Sequence, residues 1–177
     1  MLVPSALRAP APVNLGVSQQ METASLLAAV LKSALRDIAA RQLPVYTFAL
    51  YHDHESEAVS VCVDTEECSA RTVAAINRYN AGYFSKAIAG GDLKGAGLWH
   101  ANIGRSLSLG DFALVNVART PLPPGVNDDE FYLAMVRAVM SVEDRVAALS
   151  PHPERLLFAC SGINDEVAYV WSAQSAG

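Results

Sequence analysis

Three stretches of this chain carry side chains able to do chemistry. The first is His52-Asp53-His54-Glu55. On a strand, His52 and His54 share a face. Two imidazoles on one face make half of a metal site, which Asp64 or Glu57 would complete. The tetrapeptide also sits where a hairpin turns, and turn tips collect polar residues. No HExxH spacing accompanies it, so the expectation is that no metal binds and that the chain needs no cofactor. The second stretch is Trp99-His100-Ala101-Asn102 with Arg105, inside a glycine-rich run without period (92–111). Long aperiodic loops in a domain are often functional. Trp gives an apolar platform, while Asn and Arg give directed hydrogen bonds. Trp99, His100, Asn102 and Arg105 are therefore the candidate ligand-binding residues. The plainer alternative is that Trp99 anchors a long connection to the core.

The third set is Cys62, Cys68 and Cys160. An odd count without a CxxC pair argues against a disulfide framework, zinc or redox work. A nucleophilic thiol needs a nearby base and a lowered pKa. Cys62 and Cys160 have no histidine beside them and lie in apolar runs, so they read as small buried hydrophobes. Gly90–Gly97 looks like a phosphate loop but lacks the GxxxxGK[ST] spacing and follows a helix where a strand is needed. Ser161-Gly162 is not a nucleophile elbow, because GxSxG is absent. Asp128-Asp129-Glu130 reads as a helix start. No catalytic residue is assigned.

These residues need elements to position them. Leu27, Val30, Leu31, Ala34, Leu35 and Ile38 recur at helical steps, which predicts a helix over 18–41, capped by Ser18 and ended by Pro44. Residues 45–53 and 58–64 alternate as strands and form a first hairpin. Thr65 or Asp64 caps a helix over 66–89, which keeps its apolar period through Val73, Ile76, Tyr79, Tyr83, Phe84 and Ile88 across Gly82. A strand follows at 112–119 and a helix at 128–149, capped by Asn127 or Asp128. Residues 155–162 and 166–173 make a second hairpin. Phe48-Ala49 recurs as Phe158-Ala159 and Glu57 as Glu166, at offsets of 110 and 109. This suggests either a pseudo-repeat or two similar hairpins of independent origin. Hairpins plus separate helices predict an α+β domain. Its antiparallel sheet would be built from both hairpins and the middle strand, covered by three main helices. Residues 1–16, broken by prolines, read as an irregular arm, and 17–177 as one domain.

The 177 residues suit a single domain. Hydrophobic residues at 51% and charged residues at 18% exclude a disordered chain. The net charge is −5, and the 13 basic residues are scattered. Nucleic-acid binding is not expected, because domains that grip phosphate backbones cluster Lys and Arg. No run of 18 apolar residues would span a membrane, and the N-terminus does not read as a signal peptide. With reduced thiols, the expected compartment is the cytoplasm. Ten Arg against three Lys, with abundant Ala, gives a bacterial cast to the composition.

Phe48-Ala49-Leu50-Tyr51, the strand ending in Val63-Asp64-Thr65-Glu66-Glu67, and a last strand carrying Trp171 resemble the bacterial family catalogued as domain of unknown function 4303. The resemblance covers the first hairpin well and the rest loosely. It implies a fold and no activity. Together with the lack of catalytic motifs, it points to a non-enzymatic interaction domain, immunity-like or regulatory. Long-range charge would steer such an acidic protein onto a basic partner. The alternative is a small enzyme or small-molecule-binding domain that uses the 98–105 loop.

Overall fold

The sheet follows from where β-branched and aromatic residues alternate. In the computed structural model, which describes residues 15–123, 125–126 and 128–173, strands β1 (Thr47–Asp53) and β2 (Ala58–Asp64) form the first hairpin. Strand β3 (Leu114–Pro121) lies beyond β2, while β4 (Leu157–Cys160) and β5 (Tyr169–Ser172) form the second hairpin. The order is β3-β2-β1-β4-β5 in one five-stranded sheet. Both hairpins therefore join one sheet and the fold is α+β, but the sheet is mixed and not purely antiparallel, because β1 and β4 run parallel.

That parallel pair sets Phe48 beside Phe158 and Ala49 beside Ala159, so the echo in the sequence is like pairing with like. A two-fold axis along the strands would exchange β2 with β5 but would also exchange the two faces of the sheet. Phe48 and Phe158 share a face, as laterally paired residues do, and their rings meet edge to face at 6.4 Å. No pseudo-symmetry relates the hairpins.

The two faces differ in side-chain size. One carries Phe48, Leu50, Val59, Val61, Val63 and Phe158, all fully buried. Helix α1 (Leu15–Ala40) lays Leu27, Leu31, Ala34 and Ile38 on it, beside Phe131, Met135 and Val139 of α4 (Asp129–Met140). The other face carries Thr47, Ala49, Ser60, Cys62 and Ala159. These small residues let an extended segment lie close, and Leu109 and Phe112 cover them from a 3-10 turn at Leu109–Asp111.

Several boundaries differ from expectation. α1 begins at Leu15, so Ser18 lies within the helix and is not its cap. Residues 15–16 of the expected arm are already helical, and 1–14 fall outside the described residues. The helix expected over 128–149 is two pieces, α4 capped by Asp128 and α5 (Glu143–Ala147), with a break at Ser141-Val142; Asn127 is not among the described residues. The middle strand starts two residues later than expected and bulges between Val61 and Val63 of its partner, where Asn116 has φ 59°. The largest departure is α2 (Glu66–Ala89). Its limits are as expected, but it does not cover the sheet. Of its 24 residues only Cys68 and Ser69 are buried, and its main contacts are α3 (Leu93–Ala96) and the 3-10 turn. Two of the three expected helices close the core, α1 and the broken α4–α5, both on one face.

Candidate functional site

Thr65 starts α2 by accepting the Cys68 amide at its Oγ1, with Glu66 and Glu67 in the first turn where the helix dipole favours anions. From there the helix leaves the sheet. At 1.5 Å per residue it extends about 36 Å. The chain returns alongside it through α3, and two asparagines in the helix hold the irregular return segment. Asn77 donates to the Asn102 carbonyl at 2.9 Å and accepts the Asn102 amide at 2.7 Å. Asn80 donates to the His100 carbonyl at 2.7 Å. Residues 66–105 thus form an arm.

The four sequence-derived candidates all lie on the return segment of this arm, each with different surroundings. Trp99 stacks on Tyr83 at 4.6 Å and meets Tyr79 edge-on at 5.9 Å. His100 is exposed. The Asn102 side chain accepts the Gly104 amide at 2.9 Å and so shapes the turn. Arg105 points away from the other three, toward the sheet. Its guanidinium lies 3.6 Å over the Tyr46 ring and donates to the Tyr46 carbonyl at 2.7 Å, to Thr47 Oγ1 at 3.1 Å and to the Arg155 carbonyl. Burial lowers its pKa, with Arg155 adding to the effect, while Tyr46, Asp64 and Glu66 oppose it. Arg105 clips the root of the arm to β1.

Beside that clip lies Asp64, fully buried. Its Oδ1 accepts the amides of Thr65 (2.9 Å) and Ala113 (3.1 Å), while Oδ2 makes no hydrogen bond among the described residues. Burial raises its pKa, against the pull of those amides. Its neighbour Cys68 donates to the Asp111 carbonyl at 3.4 Å. A groove of about 210 Å³ opens nearby, lined by Tyr46, Thr65, Glu66, Ser150 and His152.

At the opposite end of the sheet, His52 Nδ1 lies 3.0 Å from the Tyr132 hydroxyl and its backbone amide donates to Ser161 Oγ. Burial, with His54 4.2 Å away, pushes its pKa down to about 4. The ring is neutral at pH 7 and packs against Phe131. Among the described residues no group of three His, Cys, Asp or Glu is placed to hold a metal ion. The three thiols are free and buried, and burial raises the pKa of each. A raised thiol pKa is the opposite of what a nucleophile requires.

The chain matches no protein-family model, no curated protein and no solved structure. The geometry therefore carries the reading alone, and one surface stands out. Leu93, Leu98 and Ile103 are 78%, 75% and 99% exposed, and Tyr79, Tyr83, Phe84 and Ile88 are between 40% and 56% exposed. All seven are on the arm. Single exposed apolar residues are ordinary, but seven gathered on one helix and its return segment mark a candidate interaction surface. Periodicity alone places the helical ones in the core. The clue against that placement is two amide side chains, Asn77 and Asn80, set within the apolar stripe. No helix among the described residues is long and apolar enough to cross a membrane.

Proposed function

We propose that this protein is a non-enzymatic interaction domain, immunity-like or regulatory, that binds another protein through the arm formed by α2 and residues 92–105. One observation carries the reading: a 24-residue helix with an apolar stripe stands off the sheet and leaves its aromatic and aliphatic side chains in water. Exposing that much apolar surface forgoes about 25 cal/mol for every Å² that could be buried, a cost that binding recovers. The raised thiol pKa values and the neutral His52 support the non-enzymatic side of the reading. The cytoplasm, which keeps thiols reduced, suits it. The resemblance to domain of unknown function 4303 accords with it and adds no activity. In the alternative, a small-molecule site on the 98–105 loop, Trp99 and Arg105 would have to leave the tyrosines and the sheet to reach a ligand.

A photo-crosslinking residue at Phe84, compared with the same group at Lys32 on α1, tests the reading in the producing cell. The expected result is a discrete protein adduct from Phe84 only. Its purified partner should then bind the wild-type chain and fail to bind Phe84→Asp. Equal crosslinking from both positions, or binding that survives Phe84→Asp, overturns the proposal.

A further inference from the structure

Charge is distributed unevenly along the fold. Between residues 66 and 105 stand Arg71, Arg78, Lys86, Lys94 and Arg105, against Glu66, Glu67 and Asp92. The arm is therefore +2 in a chain of −5, and the remainder is −7. Beyond the root the cations Arg71, Arg78, Lys86 and Lys94 are all exposed. The arm is rooted where β2 ends. The β1–β2 turn and the β4–β5 turn both lie at the other end of the sheet, because β1 and β4 run parallel. At that end Glu55, Glu57, Asp165 and Glu166 are exposed. Asp53, Glu166 and Glu55 act together on Tyr51 there, adding to burial in raising its pKa. Exposed Ile163 and Val170 and half-buried Val167 lie among these acids. One molecule thus carries a basic apolar arm at one pole and an acidic apolar surface at the other.

We propose that the arm's occupant is a second copy of this chain, in a two-fold dimer where each arm lies against its partner's exposed edge strand β5 and ends at the partner's acidic turns. This rests on the reading of the arm as a docking surface. Two-fold pairing requires one molecule to carry both complementary patches, so that each contact occurs twice. Length permits it: an arm of about 36 Å exceeds the roughly 23 Å of a seven-residue strand. Area permits it too. Taking an aromatic-sized side chain at roughly 150–250 Å² as the scale, the seven on the arm leave on the order of 800 Å² open at their fractional exposures, about what one partner brings to a standard interface. Pairing arm to arm would instead bring two net-positive surfaces together, and like charges in contact oppose binding.

Sedimentation velocity on the full chain tests this, over a concentration series and at low and high salt. We expect a dimer that weakens with salt, since exposed charges are screened within about 10 Å at 0.1 M. The arm reversal Lys86→Glu/Lys94→Glu should weaken it by roughly tenfold or more, and the turn reversal Asp165→Lys/Glu166→Lys likewise. Mixing the two variants should restore a heterodimer, because both of its arm contacts then join opposite charges. A dimer indifferent to both reversals, or variants that do not recover on mixing, overturns the inference. A wild-type chain that stays monomeric also overturns it, and alkylation of Ile103→Cys then separates two cases. The native thiols are buried, so the new thiol alone reports on the arm. Fast alkylation leaves the arm open to a foreign protein, whereas a protected thiol means that the arm folds onto its own body and removes the docking reading as well.

Discussion

His52 should make the stability of this protein fall as the solution turns mildly acidic. Its folded pKa is about 4 against an ordinary 6.5. The folded state prefers the neutral ring, so the stabilisation is complete above pH 6.5 and is lost as pH falls toward 4. A shift of that size corresponds to about 3 kcal/mol across the whole window, and roughly 2 kcal/mol of it is gone by about pH 5. Against a typical total of about 5–15 kcal/mol, this is a large share. Asp64 works in the opposite direction, because its raised pKa makes the folded state bind its proton more readily and adds stability on acidification. Asp53, held at about 2 mainly by Ser56 and then by Arg119, loses its contribution only below the His52 window. A difference measurement isolates His52. Replacing both hydrogen-bonded partners, as His52→Leu/Tyr132→Phe, removes the titrating ring without leaving a buried hydroxyl unpaired. Urea unfolding of wild type and variant at pH 7.5, 6 and 5 should show their stability difference shrinking or reversing by roughly 2 kcal/mol in favour of the variant between the extremes. If the two pH profiles run parallel, the imidazole is not held neutral by burial and the account of this end of the sheet fails.

Truncating Phe48 or Phe158 to Ala should cost about 3–5 kcal/mol by denaturant unfolding, since both rings are fully buried; a loss under 1 kcal/mol would contradict the packing. Arg105→Ala should destabilise by about 2 kcal/mol, with Arg105→Lys recovering little of it, because an ammonium cannot reproduce the planar fork that reaches three oxygens. Gly82→Ala should stabilise by about 0.5–1 kcal/mol, since a Cβ there meets nothing within 4 Å and the position is helix interior; a lowered melting temperature would show that the helix needs flexibility at this point.

Local signals are legible in this sequence and long-range ones are not. The limits of β2 and α2 can be read because alternation ends at Asp64 and Thr65 caps the next helix, both properties of adjacent residues. The parallel pairing of β1 with β4 cannot, because nothing local distinguishes a strand that receives a parallel neighbour from one that receives an antiparallel neighbour. The stand-off of α2 is illegible for a related reason. An apolar stripe at helical spacing reads the same whether it faces its own core or the core of another molecule. At the candidate site, sequence picks out a stretch rich in chemistry-bearing residues, but the direction of Arg105 depends on where the Tyr46 carbonyl and Thr47 lie, 59 and 58 residues away. The break at Ser141-Val142 carries no Gly or Pro to announce it.

The central position of β1 has a consequence for how the chain reaches this state. β1 and β2 are joined by a short turn and can form a hairpin from nearby residues, and β3 joins β2 once the arm has been made. The other edge of β1 waits for β4, whose residues lie 110 positions later. Until they arrive, Phe48-Ala49-Leu50 presents open backbone groups on an apolar strand, the kind of edge that recruits foreign strands. Closing so long a loop is slow and exposes intermediates to aggregation. During synthesis the arrival of β4 and β5 decides whether the sheet closes. Loss of β4 and β5 by premature termination should therefore leave an aggregating species, because β1 keeps its open apolar edge.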